Sequence, residues 1–200
     1  MSALNKALDL GYKGKTRFHI EDPHAAFLIS EDLFGRMIRY DPDLDRPKVL
    51  LCIGTDRSTG DCLGPLVGTK MEASGGDFFK VYGTLDQPVH ASNLKEKLQD
   101  IQTNHEDPLV LAVDACLGQL ENVGYVSIGE GALLPGAGVN KNLPPAGHLH
   151  ITGTVNVGGF MEFMVLQNTR LNLVMRLADT IACGLALTIA KYGQKTARGI

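Results

Sequence analysis

A chain of 200 residues, 44% hydrophobic and 20% charged, is long enough to bury roughly 70% of its unfolded surface, so its core needs no disulfides. The formal charge of −3 and the scattered basic residues argue against a direct nucleic-acid partner, which calls for a clustered positive footprint. The 23 glycines follow no period and the composition is ordinary, which excludes a collagen-like or disordered chain.

Along the chain, Asp22-Pro23 signals a helix start, with Asp at the N-cap and Pro at the first helical position. Ala26, Phe27, Phe34, Met37 and Ile38 then recur at helical spacing up to Tyr40, so residues 1–45 are expected to form a helical extension packed on a single domain spanning 1–200. Residues 48–54 (KVLLCIG) are a continuous apolar run too short for a helix and predict a strand buried on both faces. A polar loop over 55–60 follows, and Asp61 is placed to cap a helix over about 62–73. The same order repeats: a strand over 78–82, a helix capped by Ser92 and running through Ile101, and a second apolar strand over 108–114 (PLVLAVD) ending in a carboxylate. A strand over 123–128, a Gly/Pro-rich stretch over 129–147, an alternating strand over 148–157 and helices over 159–167 and 171–192 complete the chain.

Strands alternating with helices predict a three-layer α/β fold, a mostly parallel sheet with helices on both faces. The last helix carries Leu171, Val174, Leu177, Ala178, Ile181, Leu185 and Ile189 at three-to-four spacing and is expected to face the core. Its small residues Ala182, Gly184 and Ala186 also leave room for a partner helix, so a homo-oligomer stays open. The start of the chain has no sustained apolar core, and the longest apolar stretch, 177–190, is interrupted by Asp179 and too short to span a bilayer. The four cysteines form no Cys-x-x-Cys pair. A reducing, cytoplasmic location without a membrane partner is expected.

In open α/β sheets ligands bind beyond the C-terminal ends of the strands, which directs attention to Asp61 and Asp114. If their strands are neighbours, the two carboxylates converge, one retains a proton, and the pair can divide labour, one activating water and the other protonating a carbonyl oxygen or leaving group. Each residue also has a plain structural role open to it, Asp61 as a helix cap and Asp114 as a turn residue. Asp56 is a third candidate carboxylate that reads first as a solvated turn residue. In the loop PGAGVNK (135–141), Gly136 and Gly138 permit close backbone approach, while Asn140 and Lys141 offer donors for a substrate or a developing oxyanion. His148 and His150 share one face of a strand and, with the carboxylates, form an alternative metal-assisted hydrolase. Cys62 and Cys116 neighbour the candidate acids, and core packing is the expected role of both.

Residues 51–68 (LCIGTDRSTGDCLGPLVG) resemble the first strand, loop and helix of the germination protease that degrades small acid-soluble spore proteins, and more loosely those of the hydrogenase maturation endopeptidases. Residues 110–115 (VLAVDA) resemble the second motif of that family, and 135–141 its Pro-Gly-Ser-Gly-Val loop. These matches span about half the chain, and its length and motif set are most similar to the YyaC family of small, protease-like sporulation proteins. The resemblance implies a HybD-like phosphorylase/hydrolase fold and peptide-bond hydrolysis by the pair Asp61 and Asp114. It further implies a protein or peptide substrate such as a spore protein, a forespore or spore-core location, and no cofactor. The hydrogenase endopeptidases recognise nickel through a glutamate, an aspartate and a histidine. Here the first acid is Asp61 and the segment Thr154-Val155-Asn156 has no histidine, so nickel recognition is not expected. The competing reading from a different class is a protein that binds peptides without cutting them, in sporulation or germination.

Overall fold

The computed structural model describes residues 14–74, 76–135 and 143–198, with side-chain surroundings as far as residue 195. Six strands, β1 (Thr16–His19), β2 (Lys48–Cys52), β3 (Phe79–Tyr82), β4 (Leu109–Gly118), β5 (Tyr125–Glu130) and β6 (Leu149–Val157), form one sheet in the order β1-β5-β6-β4-β2-β3. The pairings β2–β3, β2–β4 and β4–β6 are parallel, whereas β5 runs antiparallel to both β6 and β1.

Period-two alternation distributes the apolar side chains to two layers. Leu109, Leu111 and Val113 of β4 and Leu149 and Ile151 of β6 pack with Ile29, Leu33 and Met37 of helix α1 (Ala25–Tyr40), Leu63 and Val67 of α2 (Leu63–Ser74), and Val174 to Leu185 of the long C-terminal helix. On the opposite face Val49, Leu51 and Val110 pack against Leu94 and Ile101 of α3 (Leu94–Asn104). The expected three-layer α/β architecture is therefore present. A short helix, α4 (Glu162–Gln167), precedes the last and longest one, α5 (Leu171–Arg198).

Four local expectations need correction. Asp22 does not cap α1. Its Oδ1 accepts the amide of His24 at 2.8 Å in a turn of its own, and the helix starts at Ala25. Likewise the helix expected to be capped by Ser92 begins at Leu94, because Asn93 turns its side chain back to accept the amide of His90. The segment expected as a purely helical extension supplies a strand as well, since Thr16 to His19 pair with Ile128 to Tyr125 and form one sheet edge. Finally, α5 is longer than expected. By length and composition Leu171–Lys195 would suffice to cross a membrane, yet Val174, Leu177, Ala178, Ile181 and Leu185 on one of its faces are buried in the core. A core helix meets the same length and composition test.

Candidate active site

The site is assembled where β2 and β4 approach their C-terminal ends. Ile53 continues β2 by one bridge to Val89 and donates its amide to Val113 O at 2.7 Å, which locks the two strand ends together. The chain then leaves the sheet through Gly54, whose φ of +145° lies in a region L side chains rarely adopt. A Cβ there would stand 1.9 Å from Asp61 O, the same carbonyl that accepts the amide of Thr55 at 3.1 Å and closes the loop. Gly64, in the first turn of α2, lies so close to β2 that a Cβ would meet Ile53 O at 2.1 Å. The Gly-rich sequence between β2 and α2 thus presses Asp61 against the end of the sheet. Gly60 donates to Leu166 O at 2.8 Å and ties this loop to α4.

Asp61 and Asp114 line one cavity of about 270 Å³, together with Ile53, Gly54, His90, Cys116, Thr152 and Glu162. The neighbouring strands expected for the two acids are found, since Cys52 at the end of β2 pairs with Val113. One premise is corrected: Asp114 does not end its strand. β4 continues to Gly118, past a register irregularity between Cys116 and Leu117, so Asp114 is a side chain of the sheet itself. That explains its burial. Burial pushes the Asp114 carboxyl well above the usual carboxylate range, and the nearby charge of Asp61 pushes it the same way. The amide of Ala115, donating to its Oδ1 at 2.8 Å, opposes the shift and is outweighed. A carboxyl that keeps its proton to higher pH than usual, beside a second acid, can serve as general acid to that acid's general base.

Other sequence candidates fall elsewhere. Asp56 is exposed, contacts Thr55 and does not line the cavity. Gly136, Gly138, Asn140 and Lys141 lie outside the described residues, although Leu134, Pro135 and Leu143 on either side of them border the cavity. His148 and His150 engage the backbone at Val110 N and Gly131 O and are not among the cavity-lining residues. Among the described residues, no group of three or more His, Cys, Asp or Glu side chains is arranged to hold a metal ion. Cys62 is buried as expected, and its thiol donates to Thr59 O. Burial, with the charges of Asp61 and Asp56, pushes its pKa up, away from nucleophilic use. Cys116, also expected in the core, is only half-buried and stands in the cavity wall.

Three polar cavity residues escaped the sequence pattern: His90, Thr152 and Glu162. Glu162 opens α4 after Met161, a residue in the left-handed region at φ 54°, and its Oε1 accepts the amide of Gly159 at 3.0 Å. The paired glycines 158 and 159 were the one legible sign of this sharp entry.

The domain is a three-layer α/β fold with a cavity near the C-terminal ends of parallel strands that two acids line. The chain belongs to the family described as "Protein of unknown function (DUF1256)", whose profile matches residues 17–184. It is 61% identical to the Bacillus subtilis (strain 168) protein described as "Uncharacterized protein YyaC" over 143 residues, which cover 72% of this chain and 70% of that one. Among solved structures, a [NiFe] hydrogenase maturation protease HycI from Thermococcus kodakarensis KOD1 is similar at 18% identity and a TM-score of 0.47, over 72% of this chain and 92% of its own.

Proposed function

We propose that the protein is a peptidase in which Asp61 and Asp114 hydrolyse a peptide bond together. The observation that carries this reading is the buried Asp114, its carboxyl pushed well above the usual carboxylate range by burial and by Asp61, in a cavity that both acids line. In the first step Asp61 takes a proton from water as the oxygen attacks the carbonyl carbon, and Asp114 gives its proton to the carbonyl oxygen. In the second step the tetrahedral diol collapses. Asp61 passes its proton to the departing amine, Asp114 recovers one from a diol hydroxyl, and both acids return to their starting states. Water and peptide become a carboxylic acid and an amine, with no further reactant.

The surroundings suit a protein substrate. Phe160, two residues before α4, and Phe163 within it are exposed at 86% and 63% on the element whose Glu162 and Leu166 line the cavity, and offer apolar contact to a bound chain. The resemblance of residues 51–68 and 110–115 to the germination protease supports the same pair of acids and extends the reading to spore proteins cut in the spore core.

The test is cleavage of a spore-protein extract followed by mass spectrometry of new termini. Asp61→Asn and Asp114→Asn are each expected to lower cleavage roughly 10²- to 10⁴-fold while the far-UV spectrum is unchanged. Full activity in either variant rejects the acid pair. Association of the wild-type protein with spore proteins without new termini rejects peptide hydrolysis in favour of binding.

A further inference from the structure

Thr152 is the register partner of Asp114 on the adjacent parallel strand, and both line the cavity. The side chains on either side of Thr152 face the other layer: Ile151 belongs to the main core, and a Cβ on Gly153 would meet Leu63 and Leu177. Thr152 and Asp114 therefore stand side by side on the α3 face of the sheet. Thr152 is only 4% exposed, and its Oγ1 makes no hydrogen bond to any group among the described residues. A buried hydroxyl without a partner is unfavourable in a folded chain, and such groups are few in native proteins. Threonines on α5 show the ordinary solution, since Thr180 and Thr188 each donate to the carbonyl four residues earlier.

Register partners on adjacent strands lie about 4.8 Å apart. That is a backbone spacing, and at the side chains no hydrogen bond joins Thr152 Oγ1 to Asp114 directly, so one small molecule between them would give the hydroxyl its partner. We infer that Thr152 is a catalytic residue whose hydroxyl, with Asp114, holds the attacking water at the acid pair. The inference rests on the peptidase reading above and adds to it the group that orients the nucleophile. Water held at three points, by Asp61, Asp114 and Thr152, reaches the carbonyl carbon from one direction.

Thr152→Val keeps the shape and removes the hydroxyl, and Thr152→Ser keeps the hydroxyl. Both are compared with wild type on peptides that the wild-type protein cuts from a proteome-derived peptide library, and on urea unfolding of the free protein. The expected result for Thr152→Val is a kcat at least tenfold lower, a KM within twofold of wild type and a urea midpoint equal to or above wild type. Thr152→Ser is expected to retain kcat within about threefold. An unchanged kcat in Thr152→Val, a loss confined to KM, or a lowered urea midpoint each overturns the inference, the last because it shows a hydroxyl bonded for structure. A wild-type protein that cuts no peptide rejects the peptidase reading itself, and that outcome is read from the wild-type arm alone.

Discussion

Gly54 and Asp61 occupy one corner of the site, and a side chain at position 54 cannot be added without moving the Asp61 backbone. Alanine at position 54 must hold a φ of +145° and place its Cβ 1.9 Å from Asp61 O. Gly54→Ala is therefore expected to lower stability by about 3 kcal/mol, the upper range for strain at one backbone position, and to displace Asp61. Urea unfolding and peptide cleavage measured on the same preparation check both parts. At Asp114 the expectation concerns pH. If its proton is the one given to the substrate, cleavage declines as pH rises through the raised pKa of this carboxyl, so the alkaline limb of the kcat profile belongs to it. A flat profile on the alkaline side would remove Asp114 from the role of acid. None of this is visible in the residue types alone. Asp114, a candidate acid by sequence, reads as the last residue of its strand until the strand is seen to continue to Gly118.

At the scale of elements, α5 and α1 show how small residues are used. A Cβ on Gly184 would stand 2.5 Å from Ile29 Cγ2, so the two helices meet at this glycine within one chain. Gly184→Val is expected to cost about 1–3 kcal/mol by overpacking, seen as a lower urea midpoint with an unchanged slope. The apolar strands β2, β4 and β6 were legible because continuous or alternating apolar runs admit few other readings. Helix starts were less so. Asp22 and Asn93 carry the right side chains for caps but spend them on turns at His24 and His90, a choice between local hydrogen bonds of similar strength. β1 was missed altogether, since four residues with an intermediate or exposed burial pattern carry no periodic signal.

Across the whole molecule, two buried carboxyls at opposite ends of the sheet set opposite trends of stability with pH. Asp41, just after α1, pairs with Lys48 at the start of β2, and the pair is 1% and 7% exposed. Burial alone would raise the Asp41 carboxyl, but Lys48 and the amides of Arg46 and Asp45 outweigh it and hold the carboxyl below its ordinary value. A lowered folded-state pKa means that the stability it contributes is present above the unfolded value and lost as pH falls through the folded one. Asp114 behaves in reverse. Its raised pKa gives a contribution fully present below the unfolded value and lost as pH rises through the folded one. Asp114→Asn, which cannot ionise, is therefore expected to gain in urea midpoint relative to wild type as pH is raised above the ordinary carboxylate range. A constant difference across pH would contradict the assignment. Lys48→Met leaves Asp41 buried without its cation and is expected to cost about 3–5 kcal/mol near neutral pH, with a smaller loss in acid where Asp41 is protonated.

The sequence by itself determined the α/β class and the order of its main strands and helices, and it directed attention to Asp61 and Asp114. Apolar periodicity and glycine spacing are local properties, and Gly54, Gly64 and Asp61 lie within one strand–loop–helix unit. Only the tertiary structure decided that Asp114 is buried within its strand, that Thr152 stands beside it with an unpartnered hydroxyl, and that Glu162 and His90 complete the cavity wall. It likewise moved Asp56 and the two strand histidines away from the site. The physical reason is distance along the chain. Asp61, Asp114, Thr152 and Glu162 meet through parallel strand pairing and crossover connections, and no local pattern records which strand becomes the neighbour of which.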